Sequence, residues 1–192
     1  MADIRLIKNE LRSKYRKLRE DMSAEQKQCY DQQIFNRLIN TDHYKDAKTI
    51  ITFVSTNLEV DTIQLINKAI EDHKRVAVPK CTNLIGNMEF YIINSLDDLE
   101  KSTFSLMEPN IKKSEKLMDY KDSICILPGF AFDREGYRIG FGKGYYDRFL
   151  NNYDGKKIAV CYNNCIANKL PRGRFDVAAN FIVTPKYILT TK

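Results

Sequence analysis

Short apolar runs alternate with amphipathic stretches along most of this chain. Runs rich in β-branched residues at Thr49–Val54 and Ile124–Leu127 are typical of buried strands. Strands are also predicted over residues 75–79, 88–93, 157–162 and 181–184, and helices over residues 4–22, 23–39, 62–72 and from 145 onward. Because strands alternate with helices, the pattern predicts an α/β fold: a layered α/β/α sandwich around a largely parallel (mixed) sheet.

The first predicted helix is amphipathic and strongly basic. Its apolar residues recur at helical spacing, with Tyr15 between them: Ile7, Leu11, Leu18 and Met22. Its basic residues are Lys8, Arg12, Lys14, Arg16, Lys17 and Arg19. A solvated charged face, with Glu10, Glu20 and Asp21 as partial partners, is the simplest interpretation of this pattern.

The second helix begins at a capping box, Ser23-Ala-Glu-Gln26. Further along, Ser95 opens a short helix, whereas the polar stretch from Met107 to Lys121 is predicted to be a loop. With 192 residues and no linker, repeat or low-complexity tract, the chain suits one domain, 1–192.

Glycine is concentrated in one stretch, Leu127–Leu150, which holds five of the eight glycines. The stretch follows a predicted strand and ends in a predicted helix, so its backbone N–H groups and the helix dipole suit an anion such as phosphate. Lys143 stands between two glycines and adds a positive charge. A flexible loop closed by a capped helix remains an alternative, since Tyr145 stands where a P-loop has Ser or Thr.

Composition narrows the classes of function. The net charge of +6 favours an anionic partner, which is a nucleotide, a polyanionic cofactor or a nucleic acid. Five cysteines without a C-x-x-C spacing predict reduced, buried thiols in a cytosolic protein. No apolar run approaches the ~18 residues of a membrane helix, and no secretory signal is evident. Two histidines argue against a mechanism that needs a histidine cluster.

The glycine-rich stretch resembles the signature of the 5-formyltetrahydrofolate cyclo-ligase family, also called methenyltetrahydrofolate synthetases. The matching elements are Leu127-Pro128-Gly129, Phe132-Asp133, Arg138-Ile139-Gly140, Gly142-Lys143-Gly144 and Tyr145-Tyr146-Asp147. The sequence Lys8-x-x-Leu11-Arg12 is similar to the start of that family, and many members carry a basic residue where this chain has Phe141. Residues 82–121 carry little of the resemblance.

The resemblance implies an activity and a set of site residues. The activity is ATP- and Mg²⁺-dependent conversion of 5-formyltetrahydrofolate to 5,10-methenyltetrahydrofolate, in which the formyl oxygen attacks the γ-phosphate and the 10-nitrogen closes the ring. The catalytic residues implied are Lys143 and Arg138, the folate-binding residues are Val54, Glu59, Tyr145 and Tyr146, and the Mg²⁺ ligands are Asp147 and Asp176. The ATP-binding residues implied are Lys8, Arg12, Arg138, Ile139, Gly140, Phe141, Gly142, Lys143, Gly144, Tyr145 and Tyr146.

The residues alone leave simpler roles open for several of these positions. Asp147 is equally suited to capping a helix or complementing its dipole. Glu59 reads as a solvated loop acid, and the two tyrosines as core residues of the helix. The resemblance instead favours a cytoplasmic monomer that acts on ATP and 5-formyltetrahydrofolate and binds neither nucleic acid nor membranes.

Two other functions remain open at this point. One is a different phosphoryl-transfer or nucleotide-binding enzyme built on the same loop. The other is a nucleic-acid-binding module that uses the basic first helix, although no recognised motif of such modules is present.

Overall fold

The computed structural model of the chain describes residues 4–81, 87–102 and 106–191. Its α-helices are α1 Ile4–Glu20, α2 Ala24–Ile39, α3 Asp42–Asp46, α4 Ile63–Glu71 and α5 Tyr145–Leu150. Its strands are β1 Thr49–Ile51, β2 Arg75–Cys81, β3 Met88–Ile93, β4 Leu99–Lys101, β5 Met107–Pro109, β6 Glu115–Lys116, β7 Ser123–Leu127, β8 Ala131–Asp133, β9 Arg138–Ile139, β10 Lys156–Val160, β11 Ile166–Ala167, β12 Phe181–Val183 and β13 Ile188–Thr190.

Within these residues the main sheet has eight strands in the order β13-β12-β10-β7-β1-β2-β3-β6. The run from β12 to β2 is parallel, while β13, β3 and β6 pair antiparallel at the two edges. The predicted largely parallel, mixed sheet is therefore confirmed. Because β1 and β7 are parallel neighbours, the loops that follow them leave the same edge of the sheet, which is where ligands bind in such folds.

The centre of the sheet forms the core of the molecule. Every residue of β7 is buried, and the thiol of Cys125 in this strand is fully enclosed, so burial raises its pKa. Cys161 and Cys165 are buried as well, whereas Cys29 is exposed and Cys81 lies between these extremes. All five cysteines are free, and the prediction of buried thiols is confirmed for three of them.

Several predictions about local structure were wrong. The stretch from Met107 to Lys121 is not a loop, because it contributes β5 and β6. The chain also does not run directly from β7 into the glycine-rich loop: β8 and β9 form a hairpin there that pairs with β11 in a second, three-stranded sheet. These strands have two or three residues, which is too short for an alternating pattern to become visible in the sequence.

Helix α1 was predicted to turn its charged face to solvent, but part of that face is buried. Lys8, Arg12, Tyr15 and Arg19 are spaced i, i+4, i+7 and i+11, so they share one side of the helix. That side faces the protein, since Tyr15 and Arg19 are buried while Lys8 and Arg12 are partly buried. In the described parts of the chain, no helix is long and apolar enough to span a bilayer.

Candidate active site

The glycine-rich loop, residues 140–144, connects β9 to α5. Gly142 and Gly144 have φ values of +94° and +70°, a region that strongly favours glycine. A Cβ atom at Gly142 would also lie 3.1 Å from the guanidinium carbon of Arg12. Glycine is therefore required where the loop turns closely beneath helix α1.

Two basic residues of α1 reach this region. Arg12 Nε donates a hydrogen bond of 2.8 Å to the carbonyl oxygen of Gly140. One turn earlier, Lys8 Nζ lies 2.5 Å from Asp176 Oδ2. The structure thus brings together residues from both ends of the chain that the sequence assigned to nucleotide and metal.

A second cation–carboxylate pair lies at the other side of the loop. Arg138 Nη2 is 2.6 Å from Asp147 Oδ1, and only 5% of the Arg138 side chain is exposed. Arg138 Nη1 donates to the carbonyl oxygen of Val177, and the Val177 N–H donates to Asp147 Oδ1 at 3.2 Å. The capping interpretation of Asp147 is wrong, because Gly144 is the N-cap of α5 and the Asp147 carboxylate accepts from Arg138 and Val177.

These contacts place Asp147 and Asp176 close together, since Val177 is bonded to one and follows the other in sequence. Lys8 and the N–H of Gly173 both donate to Asp176 Oδ2. These hydrogen bonds end on Asp147 Oδ1 and Asp176 Oδ2, so the second oxygen of each carboxylate is the candidate metal ligand. Two such oxygens suit an ion that takes most of its ligands from water and phosphate, as Mg²⁺ does. Within the same residues, no group of three or more His, Cys, Asp or Glu that could hold a metal is present.

Glu59 lies in the loop after β1 and is 6% exposed. Its Oε2 accepts from both the N–H and the hydroxyl of Thr56 at 2.9 Å, which leaves Oε1 for another donor. Burial raises the pKa of Glu59, and the Thr56 hydrogen bonds offset that effect only in part. The interpretation as a solvated loop acid is therefore wrong, whereas Val54, half-buried at the start of the loop, packs against the core.

Tyr146 connects the two halves of the region. Its hydroxyl is buried and, within the described chain, forms no hydrogen bond. Burial raises its pKa, and the negative charge of Glu59 adds to the rise, while the nearby Arg138 opposes it. An enclosed hydroxyl without a partner costs stability. The Tyr146 hydroxyl is therefore a hydrogen-bond donor that a ligand between the Glu59 loop and the glycine-rich loop can use. Its neighbour Tyr145 is partly buried.

Two predicted residues lie at the outer surface of the loop. Lys143 is exposed, and its carbonyl oxygen accepts from Arg148 Nη2. Phe141 is 54% exposed, with its ring centre 4.6 Å from that of Phe130. Ile139, in contrast, is a core residue at the end of β9, and its carbonyl oxygen accepts from the N–H of Phe130.

Sequence reasoning missed two participants in the region. Val177 joins the Arg138–Asp147 pair through backbone groups, which no side-chain pattern reveals. Arg19 is buried and bonds to loop carbonyls, and its place on the helix row of Lys8 and Arg12 was the available signal.

The fold and the site define a class of protein: an α/β sandwich in which a glycine-rich loop, a basic helix and two carboxylates meet beside the parallel strands. A family model described as the 5-formyltetrahydrofolate cyclo-ligase family matches residues 5–185. The "Probable 5-formyltetrahydrofolate cyclo-ligase" of Caenorhabditis elegans is 28% identical over 197 residues, covering 95% of each chain. The "5-formyltetrahydrofolate cyclo-ligase" of Escherichia coli K12 is 29% identical over 177 residues, covering 90% of this chain and 97% of the relative.

A solved structure gives the same result. The NMR structure of Aquifex aeolicus 5,10-methenyltetrahydrofolate synthetase superposes with a TM-score of 0.84 and 30% identity, covering 97% of this chain and 93% of that chain. The chain therefore belongs to the 5-formyltetrahydrofolate cyclo-ligase family, and the resemblance found in the sequence is confirmed.

Proposed function

We propose that the protein converts 5-formyltetrahydrofolate to 5,10-methenyltetrahydrofolate in a reaction that consumes Mg·ATP and releases ADP and phosphate. One observation carries the proposal: the two cation–carboxylate pairs, Lys8–Asp176 and Arg138–Asp147, meet beside the glycine-rich loop through Val177. Cations that surround a backbone loop favour phosphate, and paired carboxylates supply the countercharge for a metal. Family membership supports the choice of folate as the second substrate.

Phosphoryl transfer requires mainly positioning and neutralisation of charge. Arg12 and Lys8, held against the loop and Asp176, are directed at the nucleotide phosphates in this proposal. Lys143 is exposed at the tip of the loop, so it can approach a phosphate without disturbing the core. Arg138 is already fixed by Asp147 and Val177, which orients its guanidinium before any substrate arrives.

The proposed folate side has a different chemistry. Glu59 Oε1 can accept from the N–H groups on the planar edge of the pterin ring, and the half-buried Val54 is an apolar residue at the start of the same loop. The unpartnered Tyr146 hydroxyl can donate to an oxygen of either substrate. With both substrates bound, the formyl oxygen attacks the γ-phosphorus and ADP leaves. The 10-nitrogen then attacks the activated formyl carbon, and phosphate departs as the ring closes.

Magnesium would be held by Asp147 and Asp176, with the remaining ligands from water and phosphate. When bound, the ion would neutralise part of the charge on the transferring phosphoryl group. Lys8 would then share Asp176 with the ion, whereas Arg138 would stay oriented by the carbonyl oxygen of Val177.

The direct test mixes the purified protein with 5-formyltetrahydrofolate and Mg·ATP, and follows both the methenyl absorbance and ADP. We expect one ADP per methenyl product, and no product without ATP. ADP release without any methenyl product would support the alternative of another nucleotide-dependent enzyme. A Glu59→Gln variant that loses product formation but still binds ATP would tie the folate to the proposed residues.

The nucleic-acid alternative is less well supported by the structure, because Lys8, Arg12 and Arg19 face the protein rather than solvent. A steep dependence of RNA affinity on salt, together with no turnover of folate, would favour it instead.

A further inference from the structure

Arg19 is a buried cation that is not among the residues assigned to either substrate. It lies near the end of α1 and is 6% exposed. Its three hydrogen bonds go to carbonyl oxygens rather than to a carboxylate: Nη1 to Leu58 at 3.0 Å, and Nη2 to Gly129 and to Phe130. Enclosing a guanidinium costs free energy, which these bonds, the Glu59 carboxylate and the Phe130 and Tyr162 rings offset, so this position needs an explanation.

The three carbonyl groups belong to two separate segments. Leu58 precedes Glu59 in the 54–62 loop, whereas Gly129 and Phe130 follow β7 in the 128–130 segment. Both segments leave the same edge of the sheet. One planar side chain, with several donors in fixed directions, therefore joins the loop that carries Glu59 to the segment that leads toward the glycine-rich loop.

The connection continues beyond the guanidinium. The N–H of Phe130 donates to the carbonyl oxygen of Ile139 at 2.7 Å, and Ile139 immediately precedes Gly140. The guanidinium carbon also lies 5.4 Å from the ring centre of Tyr162, whose hydroxyl is 3.4 Å from the carbonyl oxygen of Glu59. Both routes run through packed or hydrogen-bonded groups, so a shift of Arg19 displaces both segments.

We infer that Arg19 is a positioning residue that fixes the distance between the Glu59 loop and the glycine-rich loop. This inference rests on the proposed function, in which the first loop holds folate and the second holds ATP. Each loop can bind its own ligand locally, but transfer of the phosphoryl group requires the two ligands in register. An error of about 1 Å between reacting groups can reduce a rate by ~10²-fold.

Arg19→Lys tests the inference, because lysine keeps the charge but cannot reach three carbonyl groups in a fixed fork. We expect kcat to fall about 10²-fold, while the dissociation constants of ATP alone and folate alone change by no more than ~3-fold. Arg16→Lys is the matched control: Arg16 lies on the same helix, is exposed and pairs with Glu20. It should leave kcat, binding and melting temperature unchanged.

Amide hydrogen exchange tests the same inference without activity, so failure of the proposed function and failure of this inference are distinguishable. The N–H groups of Glu59 and Phe130 are both hydrogen-bonded, to Thr56 and Ile139. In the wild-type protein we expect them to become exposed in one common opening, with similar protection. In Arg19→Lys both should lose protection together.

Two results would overturn the inference. The first is a difference of more than tenfold between the protection factors of the Glu59 and Phe130 amides in the wild-type protein. This measurement does not need the variant, so it decides the question even if Arg19→Lys does not fold. The second is an Arg19→Lys protein with the wild-type kcat. A variant whose affinities for ATP and folate both fall as much as its kcat would count in the same way, because a general structural role predicts that pattern.

Discussion

Lys8 Nζ lies 2.5 Å from Asp176 Oδ2, although the two residues are 168 positions apart in the sequence. Under the proposed function, Lys8 contacts a phosphate and Asp176 contacts Mg²⁺. The two side chains thus neutralise each other before the substrates arrive, and each exchanges its partner when Mg·ATP binds.

The variant Lys8→Met tests whether Lys8 leaves Asp176 for a phosphate when Mg·ATP binds. The Lys8 side chain is 16% exposed and Asp176 21% exposed, so removing the cation leaves a largely enclosed carboxylate and should cost about 1–3 kcal/mol in the free energy of unfolding. The KM for ATP should rise more than tenfold, because a phosphate contact is lost. Lys17→Met, an exposed change on the same helix, serves as the control. An unchanged KM for ATP would remove Lys8 from the nucleotide site.

Lys143→Ala should fold normally and lose most of its activity. The residue is exposed between two glycines, so it supports no core packing. Loss of one charge-assisted contact to the transferring phosphate should reduce kcat by about 10²–10³-fold. Lys112→Ala is the control, because Lys112 is also exposed but lies outside the glycine-rich loop. This variant should have the melting temperature and the turnover of the wild-type protein. Wild-type turnover in Lys143→Ala would contradict the assignment of the loop to ATP.

Asp147→Asn should lower both stability and activity. The carboxylate is the charged partner of Arg138, whose side chain is 5% exposed, so the change should cost ~1–3 kcal/mol of stability. It also removes a negative charge from the proposed metal site, and half-maximal activity should require more Mg²⁺.

The double variant Asp147→Asn with Arg138→Met distinguishes these effects, since it removes the buried cation as well. Its melting temperature should recover part of the loss, while its turnover stays low. Recovery of turnover together with stability would show that neither Asp147 nor Arg138 takes a direct part in the reaction. A magnesium titration that overlays wild type in Asp147→Asn would remove Asp147 as a metal ligand.

Glu59→Gln should weaken folate binding without destabilising the fold. Burial raises the pKa of Glu59 above its ordinary value. The folded state therefore holds the proton more tightly than the unfolded state, and stability falls as the pH rises from the ordinary glutamate pKa to the raised one. Above that window the ionised Glu59 has a constant cost, which Gln removes. At pH 7–8 the variant should melt at the wild-type temperature or higher.

Folate affinity should have the opposite dependence on pH. The ionised carboxylate is the acceptor, so binding by the wild-type protein should weaken as the pH falls through the raised pKa. Binding by Glu59→Gln should not change over that range, and should be weaker at neutral pH by about 1–3 kcal/mol, or 5- to 150-fold. Equal losses for ATP and folate would point to a general structural role for Glu59.

The sequence predicted those parts of the fold that depend on a long hydrophobic pattern or on the identity of particular side chains. It located α1, the central strands and the glycine-rich loop. It did not predict the β8–β9 hairpin, whose two strands together have five residues. Strands of that length are determined by tertiary hydrogen bonds rather than by local preference.

At the candidate site, too, the sequence revealed side chains but not the contacts that the backbone makes. The motifs identified Arg138 and Asp147 separately, but not the bond between them or the role of Val177, because backbone partners leave no trace in side-chain identity. Likewise, Arg19 lies on the helix row of Lys8 and Arg12, but from the sequence it was counted only among the basic residues of a solvated face. The cost of burying Arg19 is offset by carbonyl groups that only the folded chain brings near.

Helix α1 has a consequence for the way the protein is made. Its basic residues leave the ribosome early, but Gly129, Gly140 and Asp176, to which they bond, are synthesised much later. Until about residue 176 has emerged, Lys8 cannot pair with Asp176. Contacts between such distant positions form slowly, so the candidate site is complete only after residue 176 has been synthesised.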